Sequence, residues 1–304
     1  MKKSISVSVI GAGLMGHGIG QVFARAGHAV VITDSNKEIL NMALARVESN
    51  LLDEGADAPR VLCNMSVEEN LEIAVAEADL VIEAVPEKLE LKQQLFSDVA
   101  RAAPRHAVLT SNTSVIPITR IGEKLDSDAR SRLVGTHWWN PPHLVPLVEV
   151  IRTVHTSIEV FEQTYAWLEA VGKLPVKVHQ DVTGFIGNRL QHALWREAIG
   201  LIDDGVCDAE AIDLVVKNSF GMRLPVLGPM ENADLVGLEL TRDVHRIMFP
   251  SLKCNKTPSP LLDRLIEEGH TGMKVGQGLR SWTREQAENV HSELAAHLIK
   301  MTSR

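Results

Sequence analysis

The chain has 304 residues, 45% of them apolar and 23% charged, the balance of a soluble globular protein with length enough for two domains. Its formal charge of −8 speaks against nucleic acid and anionic membrane surfaces as partners. Cys63, Cys207 and Cys254 are scattered without a Cys-x-x-Cys pair, which suits a reducing, cytoplasmic setting and offers neither a disulfide framework nor a metal site.

Lys2-Lys3 ahead of an apolar run has the outline of a secretion signal, but serines interrupt the run and no small-residue cleavage site follows. No uninterrupted apolar window of about 18 residues exists, so no membrane span is expected. The run Ile5–Ile10 reads as a strand that passes directly into Gly11-Ala-Gly13-Leu14-Met15-Gly16, and an amphipathic helix pattern (Ile19, Val22, Phe23, Ala26) follows. A second strand ends in Asp34, eighteen positions after Gly16. In that context Gly11 permits a tight turn, Gly13 lets backbone approach a pyrophosphate, and Gly16 brings helix and strand together. Asp34 would accept from a ribose 2′-OH and repel a 2′-phosphate, so the cofactor is expected to be NAD.

A helical pattern runs from Lys37 to Leu52 and is broken over Asp53–Pro59. Val61–Asn64 reads as a short strand, with Ser66 capping a helix over Val67–Ala76 and Glu69 completing its capping box. Asp79–Val85 is a continuous apolar strand of the kind buried in a parallel sheet, and Pro86–Lys92 opens the next helix. Ala107–Asn112 is a strand leading to Thr113-Ser114, and another strand ends at His137 in a proline-fixed turn. Strand Leu147–Ile151, helix Ile158–Val171 and strand Leu174–His179 follow. This alternation predicts an α/β fold with a doubly wound, Rossmann-type sheet over residues 1–182. Strand signals then stop. Residues 183–304 read as a mostly α-helical domain, with a helical stretch from Gly184 to Asp204, Gly205 as its C′ residue, and Asp208 capping a helix through Val216.

Ligands of open α/β sheets bind outside the carboxyl ends of the strands, where Ser114, His137 and Glu149 fall, with Asn188 just past the domain junction. Oxidising an alcohol by hydride transfer requires a base for the hydroxyl proton, and histidine suits that role near neutral pH. A carboxylate behind the imidazole would fix its tautomer, and Glu149 could be that group. The residues also admit plainer readings: His137 as a packed core residue beside Trp138 and Trp139, Glu149 as an edge or interface charge, and Ser114 and Asn188 as caps.

In order along the chain, Gly11–Gly16, Asp79–Val85, Ser111-Asn112-Thr113-Ser114, His137-Trp-Trp-Asn-Pro, Leu147–Ile151 and Gly184-Phe-Ile-Gly-Asn188-Arg-Leu resemble the L-3-hydroxyacyl-CoA dehydrogenase family across nearly the whole chain. The resemblance implies an N-terminal NAD domain and a helical C-terminal domain that joins two copies into a homodimer. It further implies His137 as base, Glu149 as its partner, and Ser114 and Asn188 as ligands of the substrate oxygen. Glu87, Lys92 and Asn112 would lie near the cofactor with Leu14 and Met15 of the glycine loop. The chain departs from the acyl-CoA enzymes in having a short, net acidic stretch over Arg46–Arg60 where they carry a lysine-rich extension for the CoA phosphates. It also has tryptophans after His137 where they usually have paired phenylalanines. These departures resemble the branch acting on small free acids: the carnitine, gulonate and pyridine-carboxylate dehydrogenases. The expected function is therefore NAD-dependent oxidation of a small hydroxylated carboxylate. A short-chain hydroxyacyl-CoA dehydrogenase and a non-catalytic, crystallin-like NAD-binding protein are the competing readings. Trp138, Trp139, His143 and Arg223 are candidates for lining the substrate site, the two tryptophans being better suited to packing.

Overall fold

The computed structural model of the chain describes residues 4–302. These form two compact units, one up to Arg189 together with the residues from Ala296 on, the other Leu190–Ala295. In the first, β1 (Ser6–Ile10) leads into α1 (Gly16–Arg25), followed by β2 (Ala29–Thr33), α2 (Lys37–Asn41), α3 (Ala43–Asp53), α4 (Ala58–Leu62), β3 (Met65–Val67), α5 (Leu71–Val75) and β4 (Leu80–Glu83). Then come α6 (Leu89–Ala102), β5 (Val108–Ser111), α7 (Ile118–Ile121), α8 (Ser127–Ser131), β6 (Leu133–Trp138), β7 (Leu147–Ile151), α9 (Ile158–Ala170) and β8 (Leu174–Val178).

The eight strands make one sheet in the order β3-β2-β1-β4-β5-β6-β7-β8. Neighbours run parallel except β6 and β7, whose antiparallel register sets His137 opposite Glu149. Every residue of β4, β5 and β6 is buried, which is why Asp79–Val85, the stretch around β4, reads as a continuous apolar run. Successive side chains feed two separate cores: Leu80 and Ile82 enter one, Val81 the other. Strand order reverses between β1 and β4, and the crevice beside their carboxyl ends is where such sheets hold dinucleotides.

α10 (Gly187–Asp203) starts in the first unit and continues into the second, where α11 (Ala209–Asn218), α12 (Pro229–Val236), α13 (Leu238–Met248) and α14 (Pro260–Glu267) follow; α15 (Arg284–Thr302) ends the described chain. Gly205 has the left-handed φ of +71° expected after a helix, and Asp208 caps α11 by accepting from the Ala211 N–H at 2.7 Å. The chain thus has the expected class, a doubly wound sheet followed by helices. Length would allow a second core, yet among residues 190–295 only Gly200 and Ala209 are buried.

Several local expectations fail between β2 and β4. Val61–Asn64 is no strand: Asp57 caps α4 by accepting from Arg60 N–H, and Pro59 sits in the first turn, where its missing N–H costs nothing. The strand comes later, as β3, and contains Ser66, the expected cap. Asn70 caps the ensuing helix instead, accepting from Ile73 N–H at 3.1 Å, while Glu69 pairs with Lys37. The helix expected from Lys37 is interrupted at Met42, and the helices expected from Pro86 and Gly184 begin at Leu89 and Gly187.

Candidate active site

The turn after β1 has the shape that a dinucleotide needs. Gly11 has a φ of +104°, and a Cβ there would stand 2.5 Å from the Ala84 carbonyl oxygen. A Cβ on Gly16 would stand 1.6 Å from the Gly11 oxygen, so strand and helix meet through bare backbone. Gly13 differs: no heavy atom lies within 4 Å of its Cβ position, leaving open space over the turn. At the start of α1 the His17 N–H reaches back to the Gly13 carbonyl at 3.4 Å, and the first turn holds no acid to compete for an anion. Asp34 accepts from Ala12 N–H and Asn36 N–H, both at 2.8 Å, which fixes its carboxylate at the end of β2 beside the loop. Leu14 is 65% exposed at the loop's crest, and Met15 is half-buried. The cradle fits NAD.

Across the switch point, Lys92 is buried and its ammonium is fully engaged by Glu83 Oε1 (2.6 Å), Val85 O (3.2 Å) and Glu87 Oε2 (3.3 Å). Glu83 also accepts from Ser111 Oγ at 2.5 Å. Glu87 Oε1 gathers Thr113 Oγ1 (2.5 Å) and the N–H groups of Ser114 and Val115 (3.0 Å each). Burial pushes the Glu87 carboxyl up, but Thr113 and the Lys92 charge outweigh it and hold the group below the usual range. Glu87 thus shapes the turn bearing Ser114, and Lys92 holds Glu87. Asn112 Oδ1 accepts from Trp138 N–H at 2.9 Å, tying β5 to β6.

His137 and Glu149 are both buried, with Nδ1 of the imidazole 2.7 Å from Glu149 Oε2. Glu149 Oε1 accepts from the N–H groups of Ile186 (2.8 Å) and Gly187 (3.0 Å). Burial raises this carboxyl's proton affinity. The hydrogen bonds from His137, Gly187 and Ile186 overcome that and hold the carboxyl below its usual range. An ionised acceptor requires Nδ1 to carry the proton, which leaves the lone pair on Nε2. Trp139 and Phe185 flank the imidazole, at ring-centroid distances of 5.2 and 5.6 Å. A Cβ on Gly187 would strike the Trp139 ring at 2.4 Å, so this glycine is what admits the indole. Asn188 Nδ2 donates to the Ser114 carbonyl at 2.8 Å, linking those two residues.

The other expected wall residues part company. Trp138 points to the opposite face of β6, buried against Phe23 at 6.1 Å. His143 packs on α1 beside Gly18, where burial lowers its proton affinity and Glu54 partly offsets the effect. Arg223 is an exposed residue of the second unit. Of the four, Trp139 alone is seen against His137. Phe185, the other ring on the imidazole, lies in Gly184-Phe-Ile-Gly-Asn188, where no sequence signal singles it out from its neighbours. Its φ of +50°, unusual for a bulky side chain, marks a backbone held in place by its surroundings.

Among the described residues, no group of three or more His, Cys, Asp or Glu side chains could hold a metal ion, and no helix is long and apolar enough to cross a membrane. Residues 6–182 match the NAD binding domain of 3-hydroxyacyl-CoA dehydrogenase, and residues 184–282 match its C-terminal domain. A Mesorhizobium japonicum protein named 5-formyl-3-hydroxy-2-methylpyridine 4-carboxylate 5-dehydrogenase is 32% identical over 298 residues, covering 97% of this chain and 96% of its own. A probable 3-hydroxybutyryl-CoA dehydrogenase of Bacillus subtilis is 36% identical over 280 residues, covering 90% and 95%. A crystal structure of the pyridine-carboxylate enzyme, described as an NAD+ dependent dismutase, superposes with a TM-score of 0.90 at 30% identity over 98% of this chain and 97% of that one. The chain belongs to the 3-hydroxyacyl-CoA dehydrogenase family and is an NAD-dependent oxidoreductase acting on CH–OH groups.

Proposed function

We propose that the chain oxidises the hydroxyl of a small hydroxylated carboxylate, with His137 as the base and Glu149 as the group that orients it. The carrying observation is the 2.7 Å contact between His137 Nδ1 and Glu149 Oε2, which leaves Nε2 as the proton acceptor. NAD, when bound, supplies the acceptor for the hydride. As Nε2 takes the hydroxyl proton, the imidazolium charge is met by a carboxylate already fixed by Ile186 and Gly187. Ser114 and Asn188 hold the reacting oxygen in this reading. Trp139, rather than Trp138 or His143, forms the wall beside it. Asp34 excludes the 2′-phosphate of NADP by charge.

Charge around α3 favours a free acid over a CoA ester. No lysine occurs between Lys37 and Lys88, while Glu48, Asp53 and Asp57 are exposed. Arg46 turns toward the Ala12 carbonyl oxygen at 3.3 Å, and Arg25 is paired with Glu54 at 2.6 Å. A polyanionic CoA would meet net negative charge there. The Bacillus subtilis likeness supports the second reading, a short-chain hydroxyacyl-CoA dehydrogenase.

The test is a turnover panel with NAD and with NADP: 3-hydroxybutyrate, carnitine, gulonate and hydroxymethyl-pyridine carboxylates against acetoacetyl-CoA. A free acid should give the highest kcat/KM, with NAD strongly preferred. A CoA ester better by about tenfold or more would replace this reading with the second. A protein inert to every compound would leave only the non-catalytic reading.

We also propose residues 1–182 as the cofactor domain and residues 183–304 as the substrate and dimerisation domain of a cytoplasmic homodimer. In the helical unit, Leu235 and Met230 are 73% exposed and Ile247 is 79% exposed, too much apolar surface for a solitary chain. A second copy would cover it. Light scattering should give the dimer mass at micromolar concentration; a monomer there would overturn the assembly, and fractionation outside the cytoplasm would overturn the location.

A further inference from the structure

Lys173, in the turn between α9 and β8, is 7% exposed. Its ammonium donates to the carbonyl oxygens of Pro142 (2.5 Å) and Val145 (2.9 Å), and it lies 5.4 Å from the centroid of the Trp138 ring. Both carbonyls belong to the loop between β6 and β7, the segment that runs from His137 to Glu149 and carries Trp139 onto the imidazole. We propose that Lys173 is a positioning residue for the dyad, its charge clamping the 142–145 segment so that His137, Trp139 and Glu149 keep their mutual geometry.

The clamp is unusual because a buried cation is held by neutral acceptors. Glu54, the acid acting on Lys173 through space, is itself engaged by Arg25 (2.6 Å) and by Gln21 Nε2 (2.8 Å). His143 on the loop and Arg25 and Glu54 on the α1 and α3 side share with Lys173 a cleft of about 720 Å³, and these are the charged or titratable groups facing it. Burial pushes the ammonium down to about 8, with Glu54 only partly offsetting it. The unfolded chain therefore keeps a proton that the folded chain releases between about pH 8 and the ordinary lysine value of about 10.4, and stability rises with pH across that window. At neutral pH the charge thus costs stability. Two charge-assisted hydrogen bonds to carbonyls are roughly twice as strong as neutral ones, so losing the proton loosens the clamp.

The proposal rests on the dyad reading, so His137→Ala is assayed beside Lys173→Met and Lys173→Arg. Lys173→Met should bind NAD within about twofold of wild type, lose about tenfold or more in kcat, and change KM little. Lys173→Arg should recover most of the loss, because arginine keeps the charge and donates to both carbonyls. Wild-type kcat should fall as pH rises through about 8, and that fall should vanish in Lys173→Arg. Lys173→Met within about twofold of wild-type kcat, Lys173→Arg no better than Lys173→Met, or the same alkaline fall in Lys173→Arg each overturns the proposal. Should Lys173→Met not fold, Lys173→Arg and its pH profile carry the test. Activity retained in His137→Ala would overturn the dyad reading instead.

Discussion

His137→Ala is expected to lower kcat by roughly 10²–10⁴-fold while leaving NAD binding nearly unchanged. The residue is 3% exposed and lies at the end of β6, whereas the glycine turn and Asp34 follow β1 and β2, so its removal leaves the cofactor cradle intact. Glu149→Gln tests the same pair from behind. The amide keeps an oxygen for Ile186 and Gly187 but removes the charge that fixes Nδ1–H and balances the imidazolium, and kcat should fall again. Glu149 is held ionised below the usual carboxylate range, so its contribution to stability is complete above the unfolded value of about 4.3 and is lost as pH falls through the lower folded one. Glu149→Gln should remove that part of the acid dependence. Single-turnover rates and NAD titrations read the first effect. More than about a tenth of wild-type kcat in His137→Ala would mean that another residue is the base.

The contact of His137 with Glu149 is legible in the sequence and its surroundings are not, and the reason is distance along the chain. His137 and Glu149 sit on consecutive strands joined by one loop, so antiparallel pairing was enough to bring them together. Trp138 and Trp139 were harder. Alternation sends Trp138 away from His137, but Trp139 lies past the end of β6, where the two-residue period no longer fixes its direction. Lys173 was not legible at all. A lysine between a helix and a strand reads as a solvated turn charge, and its acceptors lie 28 and 31 residues back along the chain. The short elements between β2 and β4 failed for another reason. Three to five residues carry too little periodicity, and the outcome there turned on the caps Asp57 and Asn70.

The glycine turn permits a sharper test, because its glycines are small for different reasons. Gly13→Ala places a methyl in open space, with no heavy atom beyond its own chain neighbours within 4 Å, so the fold should tolerate it. Replacing glycine where the backbone already suits other residues raises stability by about 0.4–1 kcal/mol, and the melting temperature of the free protein should hold or rise. The same methyl would occupy the space assigned to the pyrophosphate, and Kd for NAD should rise by about 100-fold or more, near 2.8 kcal/mol. Gly16→Ala must behave otherwise. Its Cβ would stand 1.6 Å from the Gly11 oxygen, and Gly11 cannot retreat, since it is already wedged against Ala84. Strand and helix would have to separate, so this variant should lose melting temperature and NAD affinity together. Calorimetric titration and thermal melts on the two variants give the comparison directly. If Gly13→Ala binds NAD as wild type does, the phosphates do not lie over this turn and the cofactor cradle has been misassigned. If Gly16→Ala melts as wild type does, the close contact of β1 and α1 is not what holds the turn.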